Sequence, residues 1–307
     1  MKRGLGNPRK VADWAVRHSA RWFTNDKLYL SLLWRMNMGY RIDWDNPRTF
    51  CEKIQWLKLY NRRPEYTQMV DKHAVKEYVA KRIGEEYVIP TLGVWDSPED
   101  IDWDSLPDRF VLKTTHGGGG IGIVICNDKQ ALDKEKAIRK LRKSLNSDIY
   151  TTYREWPYKD VPKRIIAEQF MEEKNADDSV ATKDLTDYKF FCFGGEPKYC
   201  QVIRDRNTTE TIDFYDMEWN HLPFYGLNPV ARPGLTPVAR PGHLDTMIEI
   251  ARKLSKDIPF ARIDLYVIND KEYFGEITFY PAGGFGTFTP DEWNRWLGDW
   301  IELPTGR

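Results

Sequence analysis

A lysine and a run of glycines follow one another between residues 110 and 126 of this 307-residue chain. Lys113 ends an apolar, strand-like segment, and a second strand-like segment begins after the glycines. Backbone N–H groups that carry no side chain can close over phosphate oxygens, and a lysine at the strand end adds a fixed positive charge. The pattern therefore predicts a loop that covers phosphates. Its glycines are Gly117, Gly118, Gly119, Gly120 and Gly122.

Other families of glycine-rich loops fit this segment poorly. The Walker pattern GxxxxGK[ST] is absent, and the loop opens into a strand, whereas a Walker or dinucleotide-binding loop opens into a helix. A protein-kinase loop is matched formally, but no HRD, DFG or APE segment follows it. A glycine-rich hairpin without a ligand is the alternative that the residues leave open.

A second group of chemically competent residues lies in a late hairpin, residues 261–281. If residues 269–271 form a three-residue turn, Asp264 pairs with Glu276, and Arg262 pairs with Thr278 on the same face. A two-residue turn would place the two carboxylates on opposite faces. Adjacent carboxylates repel unless a cation lies between them, so the pairing predicts a Mg²⁺ site that nucleotide phosphates complete. Arg262 could then neutralise charge on a transferring phosphoryl group. A solvent-facing ladder of charges is the alternative.

Charge and hydropathy exclude several classes of protein. Lys and Arg number 46, as do Asp and Glu, and this balance argues against a general nucleic-acid binder. The apolar run at residues 28–34 is far shorter than the roughly 18 residues that a membrane-spanning helix needs. No early apolar stretch has the pattern of a signal peptide. We therefore predict a cytoplasmic protein that does not cross a membrane.

The four cysteines predict neither a metal site nor a disulfide framework. They show no CxxC spacing and no accompanying histidine pattern. We expect all four to be thiols of the core or of strands. They are Cys51, Cys126, Cys192 and Cys200.

The first 60 residues predict helices with an unusual charge. Seven Lys and Arg residues against two Asp give residues 1–27 a charge of +5. A helical apolar face is predicted by the spacing of Val11, Trp14, Ala15, His18 and Trp22. Such a helix either packs on its own domain with a solvated basic face or lies at an anionic membrane surface.

The remaining chain predicts a mixed order of helices and strands. A helix over 66–83 should end at Gly84, followed by a short strand at 87–90. Further helices are predicted at 129–145 and 244–256, and an eight-residue duplication at 228–243 is typical of a surface insertion. Strands are predicted at 109–115, 122–126, 164–170, 188–193, 198–204, 261–268 and 272–279. The fold class is therefore α+β with antiparallel hairpins.

At the glycine loop and the late hairpin together, the sequence resembles the ATP-grasp superfamily, and in particular its branch named after teichuronopeptide biosynthesis. The resemblance extends over segments 46–60, 70–72, 110–113, 154–158, 165–168, 187–193 and 275–281. It implies antiparallel sheets with helices and a nucleotide held between two subdomains. We divide the chain accordingly into a helical region, 1–65, and a catalytic region, 66–307, whose lobes are 66–170 and 171–307.

The resemblance also implies roles for individual residues. Lys72 and Lys113 would contact the nucleotide phosphates, and the glycine loop would cover them. His116 adjoins this loop, where it either contacts the ligand or supports the turn through a hydrogen bond. Arg262 would approach the acyl phosphate. Family members usually complete the metal motif as Glu-x-Asn, and this chain has Thr278 in place of the asparagine. The implied adenine hinge is Glu168, Gln169 and Phe170, and the implied metal ligands are Asp264, Glu276 and Thr278.

The implied reaction is an ATP- and Mg²⁺-dependent ligation of a carboxylate to an amine through an acyl phosphate. In the polysaccharide setting, the carboxylate would be a uronic acid of a surface glycan and the amine an amino acid. Further candidate anion contacts are Lys189, Arg204 and Arg206. No nucleic acid is expected as a partner, and residues 1–27 would suit docking at the inner face of the cytoplasmic membrane.

Two other functions remain open at the level of sequence. A nucleotide-sugar glycosyltransferase is suggested by two DxD patterns, at residues 43–45 and 102–104, although turn formation or helix capping also explains both. The other alternative is a non-catalytic nucleotide-binding or scaffold protein, which would not need a cation between two carboxylates.

Overall fold

The computed structural model describes residues 8–118, 120, 122–174, 185–206, 208–227, 234 and 237–305. The helices are α1 (Pro8–His18), α2 (Asp26–Met38), α3 (Phe50–Tyr60), α4 (Glu65–Val70), α5 (Ala74–Ile83), α6 (Lys134–Leu145), α7 (Ile149–Tyr153), α8 (Leu244–Ser255) and α9 (Glu292–Asp299). The strands are β1 (Thr91–Trp95), β2 (Phe110–Thr114), β3 (Val124–Cys126), β4 (Ile165–Gln169), β5 (Asp187–Phe193), β6 (Glu196–Arg204), β7 (Thr211–Asp216), β8 (Tyr225–Gly226), β9 (Phe260–Val267), β10 (Glu272–Thr278) and β11 (Phe288–Thr289). The predicted α+β class with antiparallel strands is confirmed.

Four of the five residues predicted to form the apolar face of the first helix do not pack on the domain. The side chains of Trp14 and Trp22 are 59% and 70% exposed, and Ala15 and His18 are also exposed. A different stripe, formed by α1 and the following 3-10 turn, packs on α2. The packed residues are Val16, Ala20, Phe23, Tyr29 and Leu33.

The predicted helix over 66–83 is interrupted. It forms as α4 and α5, with a break at residues 71–73 that Asp71 caps by accepting hydrogen bonds from the backbone N–H groups of His73 and Ala74. Gly84 ends α5 as predicted, at φ 121°. The predicted strand at 87–90 is wrong, since a 3-10 turn covers Glu85–Tyr87 and the strand begins at Thr91. Because of this break, the Lys72 backbone N–H donates a hydrogen bond to the Thr115 carbonyl oxygen instead of to a carbonyl of the helix.

A four-stranded antiparallel sheet in the order β1-β4-β2-β3 forms one wall of the molecule. Its outer face packs on α6 through a compact apolar cluster. This cluster includes Phe110, Leu112, Val124, Cys126, Ala137, Leu141, Ile165 and Ala167. Because side chains alternate along a strand, Lys113 and Glu168 lie on the other face.

A five-stranded antiparallel sheet in the order β10-β9-β5-β6-β7 forms the second wall. One of its faces contributes to the main core together with α3, α5 and α8. Core residues of this face are Phe190, Cys192, Ile263 and Leu265, with Met247, Ile250 and Leu254 from α8. The short pair β8-β11 lies apart from both sheets. Strands β1, β7, β8 and β11 and helices α7 and α9 are absent from the sequence predictions.

The late hairpin reaches its predicted register by a different route. Its turn has two residues, Asn269 and Asp270, both at positive φ, which is the conformation of tight hairpin turns. Such a turn by itself would separate the carboxylates, but the register shifts by one residue at Gly275, between Phe274 and Glu276. This bulge restores the pairing of Glu276 with Asp264. A β-carbon at Gly275 would lie 3.0 Å from the Asp264 carbonyl oxygen, so the bulge favours glycine.

The helical N-terminal region is not separated from the sheets by its packing. Phe50, Ile54 and Leu57 of α3 belong to the same core cluster as the five-stranded sheet. The domain boundary at residue 65 stays a prediction. All four cysteines are buried free thiols, as predicted. Within the described ranges, every helix is too short or too polar to cross a bilayer. Half of the 228–243 duplication lies outside those ranges.

Candidate active site

A cavity of about 780 Å³ lies between the two sheets. The four-stranded sheet and its glycine loop line one side, and the polar face of the five-stranded sheet lines the other. Helix α5, the segment around residues 149–158 and residues 280–283 close its ends. The two groups of residues predicted from sequence therefore meet across one space.

The first wall presents an ion-paired triad. Glu168, at the end of β4, is paired with Lys113 of β2 at 2.5 Å and with Lys76 of α5 at 2.8 Å. Burial alone would raise the pKa of Glu168, but the two lysines lower it. The carboxylate therefore stays ionised and fixes both ammonium groups at the cavity surface.

Lys72 connects the interrupted helix to the glycine loop. Its ammonium donates a hydrogen bond to the Gly117 carbonyl, and burial lowers its pKa while Glu276 of the opposite wall opposes the fall. Gly117, Gly118 and Gly120 line the cavity, whereas Gly119 lies outside the described residues.

Gly122 does not line the cavity and has a conformational role instead. It has φ +78°, and a β-carbon there would lie 2.2 Å from the Ser144 hydroxyl oxygen. The loop thus turns back to β3 only with glycine at this position.

The second wall presents a polar row that crosses four strands. Gln201 of β6, Lys189 of β5, Asp264 of β9 and Glu276 of β10 are successive cross-strand partners. The Lys189 ammonium pairs with Asp264 and, at 3.1 Å, with Asp187 on its own strand. Cross-strand neighbours on one face interact directly, so the row places Lys189 beside Asp264 and leaves the carboxylates of Asp264 and Glu276 adjacent.

Arg262 binds the predicted metal ligands in this structure. Its Nε and Nη2 donate to the two carboxylate oxygens of Asp264 at 2.6 and 2.7 Å. Nη2 also donates to Glu276 Oε1 at 2.9 Å and to Thr278 Oγ1 at 3.0 Å. The guanidinium thus bridges all three oxygen-bearing side chains, which is the arrangement expected for groups that share a cation.

The electrostatics connect the two walls. Burial alone would raise the pKa of Glu276, but Lys72, Arg262, Lys189 and Lys113 lower it to about 2. Two of these four cations belong to the opposite side of the cavity. The carboxylate of Glu276 is therefore fully ionised at neutral pH and lies in a strongly positive field.

The donor set fits a magnesium ion that phosphate oxygens complete. Within the described part of the chain, no cluster of three or more His, Cys, Asp or Glu side chains could hold a metal by itself. Magnesium usually takes one or two carboxylates together with substrate phosphates. Asp264 and Glu276 supply two carboxylates and Thr278 supplies a hydroxyl oxygen, all on one wall. The three side chains already surround a positive group, the Arg262 guanidinium.

Besides Gly122, three described residues of the predicted nucleotide site lie outside the cavity lining. His116 is buried, with its Nε2 3.2 Å from the Ser144 carbonyl oxygen, and burial lowers its pKa. The Gln169 side chain is exposed, and its backbone N–H donates to the Pro90 carbonyl. The Arg109 guanidinium lies over the Phe170 ring, with its Cζ 4.1 Å from the ring centroid. Of the three residues of the predicted hinge, Glu168, Gln169 and Phe170, the described cavity lining includes Glu168 alone.

Three further charged residues line the cavity and were not predicted from the sequence: Lys76, Asp187 and Glu155. Lys76 lies four positions after Lys72, and Asp187 lies two positions before Lys189 on the same strand face, so their spacing from predicted site residues could have identified them. Glu155 has no comparable spacing from a predicted site residue. Of the candidate anion contacts, Lys189 and Arg206 line the cavity, whereas Arg204 pairs with Asp213 at 3.2 Å and does not.

Both DxD patterns form turns. Asp43 Oδ1 accepts hydrogen bonds from the backbone N–H groups of Asp45 and Asn46. Asp102 Oδ1 accepts from those of Asp104 and Ser105. Neither segment lines the cavity. The patterns are explained by local turn formation, and nothing in their geometry favours a metal-bound sugar diphosphate.

Comparison with protein-family models matches most of the chain. The profile of a family described as TupA-like ATPgrasp matches residues 52–302. No curated protein matches the sequence significantly.

Similar solved structures share little sequence identity with the chain. The D-alanine–D-alanine ligase of Bacillus anthracis complexed with ATP is 14% identical, with 69% of this chain and 53% of the ligase covered and a TM-score of 0.39. The Helicobacter pylori D-alanine–D-alanine ligase is 12% identical, with 84% of this chain and 71% of the ligase covered and a TM-score of 0.45. A RimK domain ATP-grasp protein of Sphaerobacter thermophilus is 11% identical, with 77% of this chain and 69% of that protein covered and a TM-score of 0.40. The chain spans about half the length of the first of these ligases.

Proposed function

The chain belongs to the TupA-like ATP-grasp family, and on that premise we propose that it is an ATP- and Mg²⁺-dependent ligase that joins a carboxylate to an amine through an acyl phosphate. The observation that supports this most directly is the meeting of two sets of side chains across one cavity. Lys72 and Lys113 extend from the side of the glycine loop, and Arg262 with its carboxylates faces them. A phosphoryl group between the two walls would contact cations on both sides.

The first half-reaction needs charge to be offset rather than a covalent enzyme intermediate. A substrate carboxylate attacks the γ-phosphorus of ATP, and ADP leaves as the acyl phosphate forms. We assign Lys72 and Lys113 to the nucleotide phosphates and Arg262 to the transferring phosphoryl group. Magnesium, when held by Asp264, Glu276 and Thr278, supplies further positive charge to the phosphate oxygens.

The second half-reaction needs a site that excludes water and an amine held next to the acyl phosphate. An acyl phosphate hydrolyses if water reaches it, so we assign the glycine loop, residues 117–122, a second role as a cover. The amine then attacks the acyl carbon and phosphate leaves. Hydroxyl or thiol nucleophiles of the protein are not needed for either half-reaction.

For the substrates, we propose a uronic acid of a capsular or cell-surface polysaccharide and an amino acid. The resemblance to the branch named after teichuronopeptide biosynthesis supports this choice. A cavity of about 780 Å³ is within the range of small-molecule sites. The uronic acid would be supplied by an enzyme that oxidises the primary alcohol of a sugar, and the amide would remain on the glycan.

The nucleotide site is tested by replacing Lys113 with methionine. We expect MgATP to raise the Tm of the intact protein by several degrees, because a ligand at a hundred times its Kd stabilises by about 2.7 kcal/mol. Lys113→Met should abolish most of that increase, since it removes a cation that Glu168 fixes at the cavity surface. Lys140→Met, on the exposed face of α6, is the control and should retain the increase.

The outcome also separates the two classes of enzyme. After a positive MgATP result, ADP release is measured with uronic acids and amino acids in pairs. An increase in Tm with magnesium and UDP-sugars, and none with MgATP, would contradict the ligase and favour a glycosyltransferase.

We further propose that the N-terminal region contacts an anionic membrane surface, at the inner face of the cytoplasmic membrane. Two observations support it: the exposure of Trp14 and Trp22, and the charge of +5 over residues 1–27. Residues 1–7 of this segment lie outside the described ranges. Replacing both tryptophans with serine should reduce co-sedimentation with phosphatidylglycerol vesicles, and unchanged sedimentation would contradict the proposal. Trp296→Ser, an exposed tryptophan of α9, is the control.

A further inference from the structure

Five carboxylates line the described part of the cavity, and four of them are paired with cations. Glu168 pairs with two lysines, Asp187 and Asp264 share Lys189, and Glu276 pairs with Arg262. The fifth is Glu155, between α7 and the 3-10 turn Trp156–Tyr158. Among the described residues, no hydrogen bond or ion pair reaches its carboxylate. A carboxylate left without a cation in a cavity is costly unless a ligand supplies the charge.

The backbone around Glu155 is fixed by the N-terminal helices. The preceding residue, Arg154, is buried and pairs with Asp26 of α2 at 2.8 Å. Its Nη2 also donates to the carbonyl oxygens of Ala20 at 2.7 Å and Phe23 at 3.0 Å. These contacts hold Arg154 at φ 55° and define where the next side chain lies. The helical region therefore positions a carboxylate at the cavity.

The surroundings of Glu155 differ from the phosphate-binding walls. Its Oε1 lies 3.8 Å from the position that a β-carbon on Gly283 would take, at the end of the cavity beyond Thr278. Tyrosine side chains line this end: Tyr153, Tyr158 and Tyr280. Two cations lie near this end. Lys58 of α3 is fully buried and donates to the carbonyl oxygens of Tyr153 at 3.0 Å and Gly283 at 2.6 Å. Arg17 of α1 lies 5.0 Å from the Tyr153 ring centroid and pairs with Asp13. Neither cation is among the described residues that line the cavity, whereas Glu155 is.

We propose, on the basis of the ligase function proposed above, that Glu155 binds the ammonium group of the amine substrate and removes a proton from it. The ammonium is the positively charged reactant of the ligation, and an amine becomes a nucleophile only after it loses one proton. The Glu155 carboxylate takes that proton as the nitrogen lone pair becomes free. The lone pair then forms the C–N bond, the acyl C–O bond breaks, and the leaving phosphate takes the second proton. The amide nitrogen retains one hydrogen, so the atoms balance.

The protonation behaviour of Glu155 suits this step. Burial raises its pKa to about 7, with Lys58 opposing the rise, and burial lowers the pKa of Lys58 to about 8. Burial also raises the pKa values of Tyr158 and Tyr280, so both phenols stay neutral around pH 7. General catalysis is most effective when the pKa of the group is near the working pH. The rate of amide formation should therefore rise with pH as Glu155 loses its proton.

The test compares two nucleophiles in the full-length protein and its Glu155→Gln variant. The assay contains MgATP with D-glucuronate or D-galacturonate, and either L-glutamate or hydroxylamine. Hydroxylamine is largely neutral at pH 7 and needs no base, so it traps an acyl phosphate directly as a hydroxamate. We expect Glu155→Gln to lower amide formation by about 100-fold or more at pH 7 and to remove the levelling of the rate above the pKa of Glu155, so that the rate of the variant keeps rising with the fraction of neutral amine. Hydroxamate formation should be retained.

The outcomes distinguish this inference from the proposed function. If the wild-type protein forms no hydroxamate, the proposed ligase function fails and this inference fails with it. If hydroxamate forms and Glu155→Gln still makes the amide at the wild-type rate, Glu155 has no role in activating the amine. Loss of both products in Glu155→Gln would also overturn the inference, because the role would then lie in acyl phosphate formation or in folding. Glu155→Asp should restore part of the amide formation, and Glu218→Gln, at an exposed position, should change neither product.

Discussion

Replacement of Arg262 with methionine is expected to lower ligase turnover by about a thousandfold or more, the range found for arginines that stabilise a transferring phosphoryl group. Arg262 bridges Asp264, Glu276 and Thr278, and in the proposed reaction it would lie beside the developing charge. Its burial among carboxylates keeps the guanidinium charged, because Asp264 and Glu276 raise its pKa more than burial lowers it. The measurement is ADP release from ATP with the pair of uronic acid and amino acid that the wild-type protein uses.

The Arg262 experiment needs a check of folding, because the variant leaves buried carboxylates without their partner. Arg262→Lys keeps a positive charge but loses the forked geometry, and it should retain the fold with turnover between the two extremes. Arg252→Met, which removes an exposed arginine paired with Glu196 and Glu249, should leave turnover unchanged. Wild-type turnover in folded Arg262→Met would contradict the role of Arg262 in phosphoryl transfer.

Substitution of glutamine for Glu276 is expected to reduce turnover by at least about a hundredfold, the scale of losing one preorganised electrostatic group in an active site. The change keeps the shape of the side chain and removes the charge that four cations stabilise. If Glu276 holds magnesium, the variant should also need more magnesium for half-maximal turnover. Turnover is therefore measured as a function of magnesium concentration at saturating ATP.

The pH profile adds a second readout for Glu276. Its pKa of about 2 leaves it ionised across the neutral range, so it contributes no rise of rate with pH around neutrality. The levelling of the rate above the pKa of Glu155 should persist in Glu276→Gln, whereas in Glu155→Gln the rate should keep rising with the fraction of neutral amine. Glu292→Gln, at an exposed position on α9, is the control for charge removal. An unchanged magnesium requirement in Glu276→Gln would exclude this carboxylate as a ligand.

The late hairpin illustrates how a correct local prediction can rest on a wrong detail. Sequence spacing placed Asp264 opposite Glu276 by assuming a three-residue turn, and the structure has a two-residue turn with a bulge at Gly275. The pairing is confirmed because the bulge adds the missing residue. Asn269 and Asp270 tolerate positive φ, as does glycine, so the tight turn has a sequence signal that the pattern of strand residues concealed.

The N-terminal helix shows the opposite case. Helical spacing placed Trp14 and Trp22 on one apolar face and left open whether the domain or a membrane surface covers it; in the structure both side chains are exposed. Periodicity identifies a face but not its partner, because the partner is chosen by shape and burial elsewhere in the chain. The interruption at Lys72 has a similar origin. Its backbone N–H bonds to Thr115 in the glycine-loop strand, a contact between distant segments that helix propensity does not describe.

The sequence by itself determined the family, the α+β class, the glycine loop after Lys113 and the pairing within the late hairpin. These features depend on residues close together in the chain, whose geometry follows from strand alternation and turn chemistry. Only the tertiary structure decided that Lys76 completes the pairing of Glu168, that Arg262 lies between the two carboxylates, and that Glu155 faces the same cavity. Such contacts join segments far apart in sequence. They form because apolar faces elsewhere on the same elements are buried together, and no local spacing records that choice.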